Sequence, residues 1–85
     1  MSSTANSLPK PEHQQLLDTS GLVCPEPIML LHQKLNTMHP GETLLILATD
    51  PATTRDIPKL CQFLGHQLLL QEQDQHTYSY WLQKA

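Results

Sequence analysis

The sequence lacks most features that mark nucleic-acid-binding and membrane proteins. Its 85 residues carry five lysines and arginines against eight aspartates and glutamates, a net charge of −3, with no basic run. Tight binding to a nucleic-acid backbone needs clustered cations, so direct nucleic-acid binding is not expected. No apolar run approaches the roughly 20 residues of a membrane helix. Residues 1–11 are polar, without the hydrophobic stretch of a secretory signal, so we expect a cytoplasmic protein.

Cysteine is also scarce, and the chain has only Cys24 and Cys61. In a reducing compartment both are expected to be thiols, because disulfides are rare there. Two cysteines cannot supply a structural zinc site of four cysteines, or of three cysteines and a histidine. The five histidines are scattered, and no two stand three or four residues apart, as ligands on one helix face would. We therefore expect no metal site and no other cofactor.

Length and composition predict one small domain behind a short tail. Residues 1–13 are rich in serine, threonine, asparagine and proline, and we predict that they form a mobile N-terminal tail. Residues 14–85 are predicted to form a single domain, taken as a monomer by default. A domain of this size has no room for a deep substrate pocket. Its chemistry is therefore expected at the surface, with other proteins as partners.

Two stretches have the apolar spacing of helices. The first stripe predicts a helix that begins at Glu26 or Pro27 and ends before the His39-Pro40-Gly41 stop. The second predicts a helix ended by Gly65 and begun shortly before Pro58, or with a distorted first turn further upstream. A cap from Asp50 or a nearby threonine is expected there. The stripes are Ile28, Leu31, Leu35 and Met38 in the first helix, and Ile57, Leu60, Cys61 and Leu64 in the second.

Four short segments are predicted to be strands, because they are apolar or alternating and are bounded by turn residues. They give the order β-α-β-α-β-β. Each helix carries one apolar stripe, so both can pack on one face of a four-stranded mixed sheet. The predicted fold class is therefore α/β, a two-layer sandwich. The strand segments are Gln15–Asp18, Thr43–Thr49, Gln67–Gln71 and Thr77–Leu82, with a turn at Gln73–Gln75 between the last two.

The segment Cys24-Pro25-Glu26-Pro27 places a thiol at a helix start. The unpaired amides and the dipole of a helix N-terminus favour a thiolate, which is the nucleophilic form of cysteine, whereas Glu26 opposes it. Pro25 and Pro27 restrict the backbone before them, so they stiffen the approach to the helix. There is no Cys-x-x-Cys pair, which suits a carrier better than a dithiol reductase. The alternative is that Cys24 is a small buried hydrophobic residue.

The chain resembles the TusA (SirA-like) family of sulfur carrier proteins, which is marked by Cys-Pro-x-Pro after an Asp-x-x-Gly pattern. Those patterns are Asp18-Thr19-Ser20-Gly21 and Cys24-Pro25-Glu26-Pro27. The resemblance continues through residues 40–42, 50–58, 61 and 65–66, and covers roughly Leu16 to Lys84. It departs at His32 and Gln33, where members often carry basic residues. If those positions dock the sulfur donor, the contact here is weaker or differently made.

The resemblance implies the same β-α-β-α-β-β fold and a role for Cys24. It implies that Cys24 accepts sulfane sulfur from a cysteine desulfurase as a persulfide and passes it to a downstream relay protein. In the tRNA branch of the family the sulfur ends as the 2-thio group of a wobble uridine. The protein would then be a sulfurtransferase in the sense of a persulfide carrier, with Pro25, Glu26 and Pro27 as the supporting motif.

Other candidate residues have two interpretations each. Asp50, Arg55 and Asp56 either dock a partner or support the Cys24 loop, or they form only a helix cap with a local salt bridge. Met29 either contributes to an apolar docking patch or packs in the core. Cys61 is either buried on the second helix or a redox partner of Cys24. Two further functions compete with the carrier: a regulatory or adaptor protein in which Cys24 is incidental, and a dithiol redox enzyme.

Overall fold

The structure is a computed structural model that describes residues 10–85. Residues 1–9 of the predicted tail lie outside the described residues. Lys10 to His13 have neither helix nor strand, but Lys10 is not isolated. Its Nζ lies 3.1 Å from a Glu72 carboxylate oxygen and 5.7 Å from the centre of the Trp81 ring. The elements in chain order are β1 (Gln15–Thr19), α1 (Glu26–Asn36), β2 (Thr43–Ala48), α2 (Thr53–Leu64), β3 (Gln67–Asp74) and β4 (Thr77–Gln83).

The four strands form one mixed sheet in the order β1-β2-β4-β3. β1 and β2 are parallel, with α1 as the connection between them, and their last paired residues are Thr19 and Ala48. β4 is antiparallel to both β2 and β3. The predicted fold class and element order are confirmed.

Both helices cover the same face of the sheet, because every second residue of the central strands faces them. On the other face, Leu45 and Leu47 of β2 are only half-buried. Leu64 was predicted to be in the second stripe but is 37 % exposed, because it is the last residue of α2 and the chain turns away after it. The core contains Leu31 and Leu35 of α1, Met38 just after that helix, Ile57 and Cys61 of α2, Leu44, Ile46 and Ala48 of β2, and Tyr80 and Leu82 of β4.

The two helix starts differ in how well the sequence predicts them. α1 begins at Glu26, as predicted, with Pro27 in its first turn. α2 begins at Thr53, five residues before Pro58, so the prediction of a start just before this proline is wrong and the distorted first turn is correct. The amides of Thr53, Thr54 and Arg55 bond to the carbonyl three residues earlier. This tighter turn extends the helix upstream, and Pro58 removes only one amide donor from it.

The chain after α2 turns at Gly65 and forms the β3–β4 hairpin. Gly65 has φ of +81°, a left-handed conformation that favours glycine, and it ends α2 as predicted. β3 runs three residues further than predicted, to Asp74, because its polar end pairs with β4 through Asp74 and Thr77. The turn is therefore Gln75-His76, not Gln73–Gln75.

Neither helix among residues 10–85 has the length and apolarity needed to cross a bilayer.

Candidate functional site

Cys24 lies where two parallel strands end and two helices begin. It follows β1 and directly precedes Pro25, the N-cap residue of α1. The carboxyl ends of parallel strands meet at one edge of a sheet, so the β1–α1 and β2–α2 loops lie side by side. Thr19 at the end of β1 donates from Oγ1 to the Leu47 carbonyl, at 2.7 Å. Cys24 itself is exposed, which excludes the interpretation that it is a buried hydrophobic residue.

The turn after β1 is closed by its own side chains and by the end of β2. The Asp18 carboxylate accepts a hydrogen bond from the Ser20 amide at 2.9 Å, and bonding to Ser20 holds the pKa of Asp18 below its usual value. Gly21 follows with φ of +84°. Its amide donates to Thr49 Oγ1 at 2.8 Å. The Asp-x-x-Gly pattern therefore shapes the loop that leads to the cysteine.

Asp50 holds the Cys24 backbone. Its Oδ2 accepts a hydrogen bond from the Cys24 amide at 2.6 Å, and its Oδ1 accepts one from the Ala52 amide at 3.1 Å. The expected helix cap is wrong, because α2 has Ala52 as N-cap and no side-chain cap bond. Both carboxylate oxygens of Asp50 are used before the helix begins. Of its two interpretations, support of the Cys24 loop is the one that the geometry matches.

A buried hydrogen-bond chain fixes the Asp50 backbone to the sheet. Thr53 Oγ1 donates to the Asp50 carbonyl at 2.7 Å and lies 2.8 Å from Tyr80 Oη. A threonine hydroxyl has one hydrogen, so Tyr80 is the donor of the second bond. Tyr80 is fully buried in β4, and burial raises the pKa of its hydroxyl. Hydrogen bonds thus connect the sheet to the β2–α2 loop and that loop to Cys24.

Thr53→Val is expected to lower the free energy of unfolding by about 1–3 kcal/mol, because it leaves the buried Tyr80 hydroxyl without an acceptor. Urea denaturation of the two proteins measures the difference. Thr54→Val is the matched control, since the exposed Thr54 hydroxyl bonds only to the Pro51 carbonyl of its own turn. Equal losses in the two variants would contradict the structural role of the buried chain.

Asp56 brings a carboxylate to the thiol. Its Oδ2 lies 3.8 Å from Cys24 Sγ, with the thiol as donor. Arg55 Nε donates to the other oxygen, Oδ1, at 3.1 Å. Arg55 is mostly exposed, so this ion pair alone is worth under about 1 kcal/mol. The structure thus brings Asp50 and Asp56 into contact with Cys24, and Arg55 next to Asp56.

An open apolar groove between α1 and α2 begins at Cys24. Its volume is about 690 Å³. Phe63 at its side is 85 % exposed, which is unusual for a large aromatic side chain. Phe63 and Lys59 were not singled out from the sequence, although Phe63 is apolar and lies off the predicted core stripe, which is a signal for exposure. The groove is lined by Cys24, Pro25, Ile28, Leu60 and Phe63, with Asp56, Lys59 and Gln62 as polar members.

The other predicted residues of α1 divide between core and surface. Pro27 is buried, whereas Pro25 and Glu26 are exposed beside the cysteine. Met29 is 55 % exposed, so the core-packing interpretation is wrong for it. It lines a second, smaller depression of about 240 Å³ with Leu22. Exposed apolar side chains therefore stand on two sides of the Cys24 loop.

Cys61 is a core residue with 2 % exposure, and burial raises the pKa of its thiol to about 11. The predicted burial is confirmed. A thiol with this pKa is protonated at neutral pH and inaccessible, so it is not a resolving partner for Cys24. Among residues 10–85 no three histidine, cysteine or acidic side chains group as metal ligands. His66 instead accepts a hydrogen bond at Nδ1 from the Ala85 amide, at 2.9 Å.

The buried thiol makes stability depend on alkaline pH. Unfolding lets Cys61 ionise near pH 9, whereas in the folded protein it does so near pH 11, so stability is expected to fall as pH rises between these values. Urea midpoints of wild type and Cys61→Ala at several pH values measure this. The variant is less stable at pH 7 because of its cavity, but its decline with pH is shallower. If the urea midpoints of both proteins fell equally steeply with pH, the raised pKa of Cys61 would be contradicted.

Comparison with known proteins identifies the family of this chain and agrees with its fold. The sequence model of the family described as "Sulfurtransferase TusA" matches residues 15–84. Proteins described as "Sulfur carrier protein TusA" from Pseudomonas paraeruginosa and Pseudomonas putida are each 54 % identical over 69 residues. Those matches cover 81 % of this chain and 87 % and 86 % of the relatives.

A solved structure is similar in fold. The crystal structure of a SirA-like protein from Desulfitobacterium hafniense superposes with a TM-score of 0.71, at 20 % identity. The match covers 82 % of this chain and 96 % of that one.

Fold and site together define a class: small two-layer α/β proteins that present one exposed thiol at a helix N-terminus, on a loop held by hydrogen bonds. Within that class, this chain belongs to the TusA family of sulfurtransferases.

Proposed function

We propose that the protein is a sulfur carrier that accepts a sulfane sulfur atom from a cysteine desulfurase as a Cys24 persulfide and passes it to a downstream relay protein. Family membership supports the sulfur-transfer role. The observation that carries the residue assignment is the exposed Cys24 on a loop anchored by Asp50, while the other thiol, Cys61, is buried in the core. One reactive thiol without a resolving partner is what a carrier requires.

The chemistry is two thiol–persulfide exchanges. In loading, Cys24 attacks the outer sulfur of the donor's persulfide, the S–S bond of the donor breaks, and the donor leaves as its thiol while Cys24 becomes a persulfide. In discharge, an acceptor thiolate attacks the outer sulfur of Cys24, and the Cys24 thiol is restored. Each exchange moves one sulfur atom and conserves the S–S bond count, so no external oxidant or reductant is consumed.

The protein's own contribution is presentation of the reacting atom. The loop is fixed to the end of β2, and the Sγ atom stands in the open beside an apolar groove. Large partners can therefore reach the sulfur directly. We further propose that the protein is cytoplasmic and that the relay ends in 2-thiolation of a tRNA wobble uridine. Direct contact of this protein with the tRNA is not expected, because the chain is acidic overall.

Intact-mass spectrometry tests the proposal. The protein is incubated with a cysteine desulfurase and cysteine, with desulfurase turnover and binding measured in parallel. A gain of one sulfur atom that a thiol reductant removes supports the carrier. No gain from an active, bound desulfurase would instead support the adaptor, in which Cys24 is incidental and the exposed Met29 and Phe63 serve only as contacts.

A further inference from the structure

Trp81 is buried, but it lies on the side of the sheet opposite the two helices, which we call the open face. Its neighbours Tyr80 and Leu82 belong to the helix-covered core, and successive residues of a strand point to opposite faces. On the open face Trp81 is paired with Leu45 of β2 and Leu70 of β3, which are only half-buried. Trp81 itself is 5 % exposed. A large aromatic side chain on this face needs a cover to be so well buried.

The N-terminal strap, residues 10–14, lies over this tryptophan. Lys10 Nζ is 5.7 Å from the centre of the Trp81 ring and 3.1 Å from Glu72 Oε1. At the other end of the strap, the backbone of the first residue of β2 accepts a hydrogen bond from the Gln14 amide at 3.0 Å and donates one to Gln14 Oε1 at 2.8 Å. The strap is thus held at both ends.

The N-terminal strap crosses the sheet from one edge to the other. It leads into β1, which is one edge strand, whereas Lys10 pairs with Glu72 of β3, which is the other edge strand. Three gaps between strands, each about 4.8 Å, amount to about 14 Å. An extended chain covers about 13 Å from residue 10 to residue 14, and the lysine side chain supplies the remainder. The length of the strap therefore matches the width of the face that it covers.

The contacts of Lys10 are individually weak. The side chains of Lys10 and Glu72 are 53 % and 41 % exposed, and an ion pair between such groups shifts an equilibrium roughly fivefold at most. A cation over an aromatic ring at an exposed site adds a factor of similar size. Contacts of this strength hold the strap on the sheet but let it open and close.

We propose that the N-terminal strap is a reversible cover for the open face, which keeps Trp81 from solvent and from other proteins. When the strap opens, Trp81 joins the exposed Leu16 and the half-buried Leu45 and Leu47 in one apolar patch across the sheet. Apolar patches of this kind promote association with other molecules. The closed strap thus leaves the helix side, where Cys24 lies, as the side that partners meet. The proposal does not depend on the carrier function.

Charge reversal tests the cover in the full chain, with acrylamide quenching of Trp81, the only tryptophan, as the readout. Lys10→Glu and Glu72→Lys are each expected to shift the ratio of open to closed strap roughly fivefold or more towards open, the effect of one pair of unit charges about 4 Å apart in water. Quenching then rises and the emission moves to longer wavelength. The double variant is expected to lie between the single variants and wild type, because the reversed ion pair forms again without the cation over the ring.

Lys59→Glu is the matched control, because it makes the same charge change at an exposed position of α2 on the helix side. Its Trp81 is expected to be quenched as in wild type. Equal quenching of wild type and both single reversals overturns the proposal, and so does a double variant that is quenched as strongly as the single ones. Circular dichroism and thermal melting confirm folding, and Glu72→Gln replaces Glu72→Lys if that protein does not fold.

A dilution series separates the strap from a second copy of the chain as the cover. If the strap covers Trp81, quenching of the wild type is the same at every protein concentration. If quenching falls as the concentration rises, together with the appearance of a dimer in sedimentation, a second copy covers the ring and the proposal is overturned. Failure here is distinguishable from failure of the carrier function, because sulfur gain at Cys24 is a separate measurement.

Discussion

Cys24→Ser is expected to abolish sulfur loading. A serine hydroxyl is not appreciably ionised at neutral pH and cannot form a persulfide, so no sulfur is gained after incubation with a cysteine desulfurase and cysteine. The substitution removes no core contact, because Cys24 is exposed, and its backbone bond to Asp50 does not depend on the side chain. The mass spectrum of the variant is therefore expected to be unchanged, while its melting temperature stays close to that of the wild type.

Cys61→Ala is the matched control for this experiment, since it removes the other thiol of the chain. Its loading is expected to equal that of the wild type at a temperature where both are folded, because Cys61 lies in the core. Loading retained by Cys24→Ser and lost by Cys61→Ala would reverse the assignment. Loss in both variants would instead indicate a dithiol mechanism, which the burial of Cys61 argues against.

Asp50→Ala is expected to slow sulfur transfer by about tenfold or more, since small displacements of a reacting atom cost rate steeply. It removes the acceptor of the Cys24 amide and of the Ala52 amide together. The sulfur-transfer rate of Asp50→Asn is expected to lie between those of wild type and Asp50→Ala, because an amide side chain has one acceptor oxygen for these two donors. Single-turnover loading from a desulfurase measures the effect, with the desulfurase in excess so that weaker binding does not limit the rate.

Alkylation by iodoacetamide separates positioning from reactivity in the same variants. A small reagent reaches an exposed sulfur from many directions, so Asp50→Ala is expected to be alkylated at nearly the wild-type rate while its sulfur transfer is slow. The loss of stability is expected to be about 1 kcal/mol, because water can replace the exposed bond to Cys24. Transfer at the wild-type rate would show that the loop needs no anchor at Asp50.

The architecture follows from local patterns. Leu31 and Leu35 repeat at helical spacing and are fully buried, and α1 ends at Asn36, four residues before the Pro40-Gly41 stop. Where such patterns exist, helix and strand are specified by which side must be buried. The end of β3 has no such pattern. Its residues up to Asp74 are polar, and they form a strand only because β4 pairs with them.

The hydrogen bonds that build the site could not be predicted from local patterns. Cys24 and Asp50 are 26 residues apart, and their contact depends on β1 and β2 being parallel neighbours. The same pairing brings Asp56, 32 residues from Cys24, to the thiol. The buried bond of Thr53 to Tyr80 depends in addition on β4 lying next to β2. A single sequence specifies residue types and local periods, whereas such contacts depend on how the strands are ordered.

The exposure of Cys24 has a consequence for the cargo. In the carrier that we propose, a sulfur atom bound to Cys24 would be exposed to solvent, so small thiols would reach it as readily as the intended acceptor does. The persulfide would therefore be short-lived, and the yield of transfer would depend on whether the acceptor or another thiol reacts first. Such a carrier would suit brief transit and not storage, so the abundance of its acceptor would determine how much sulfur arrives.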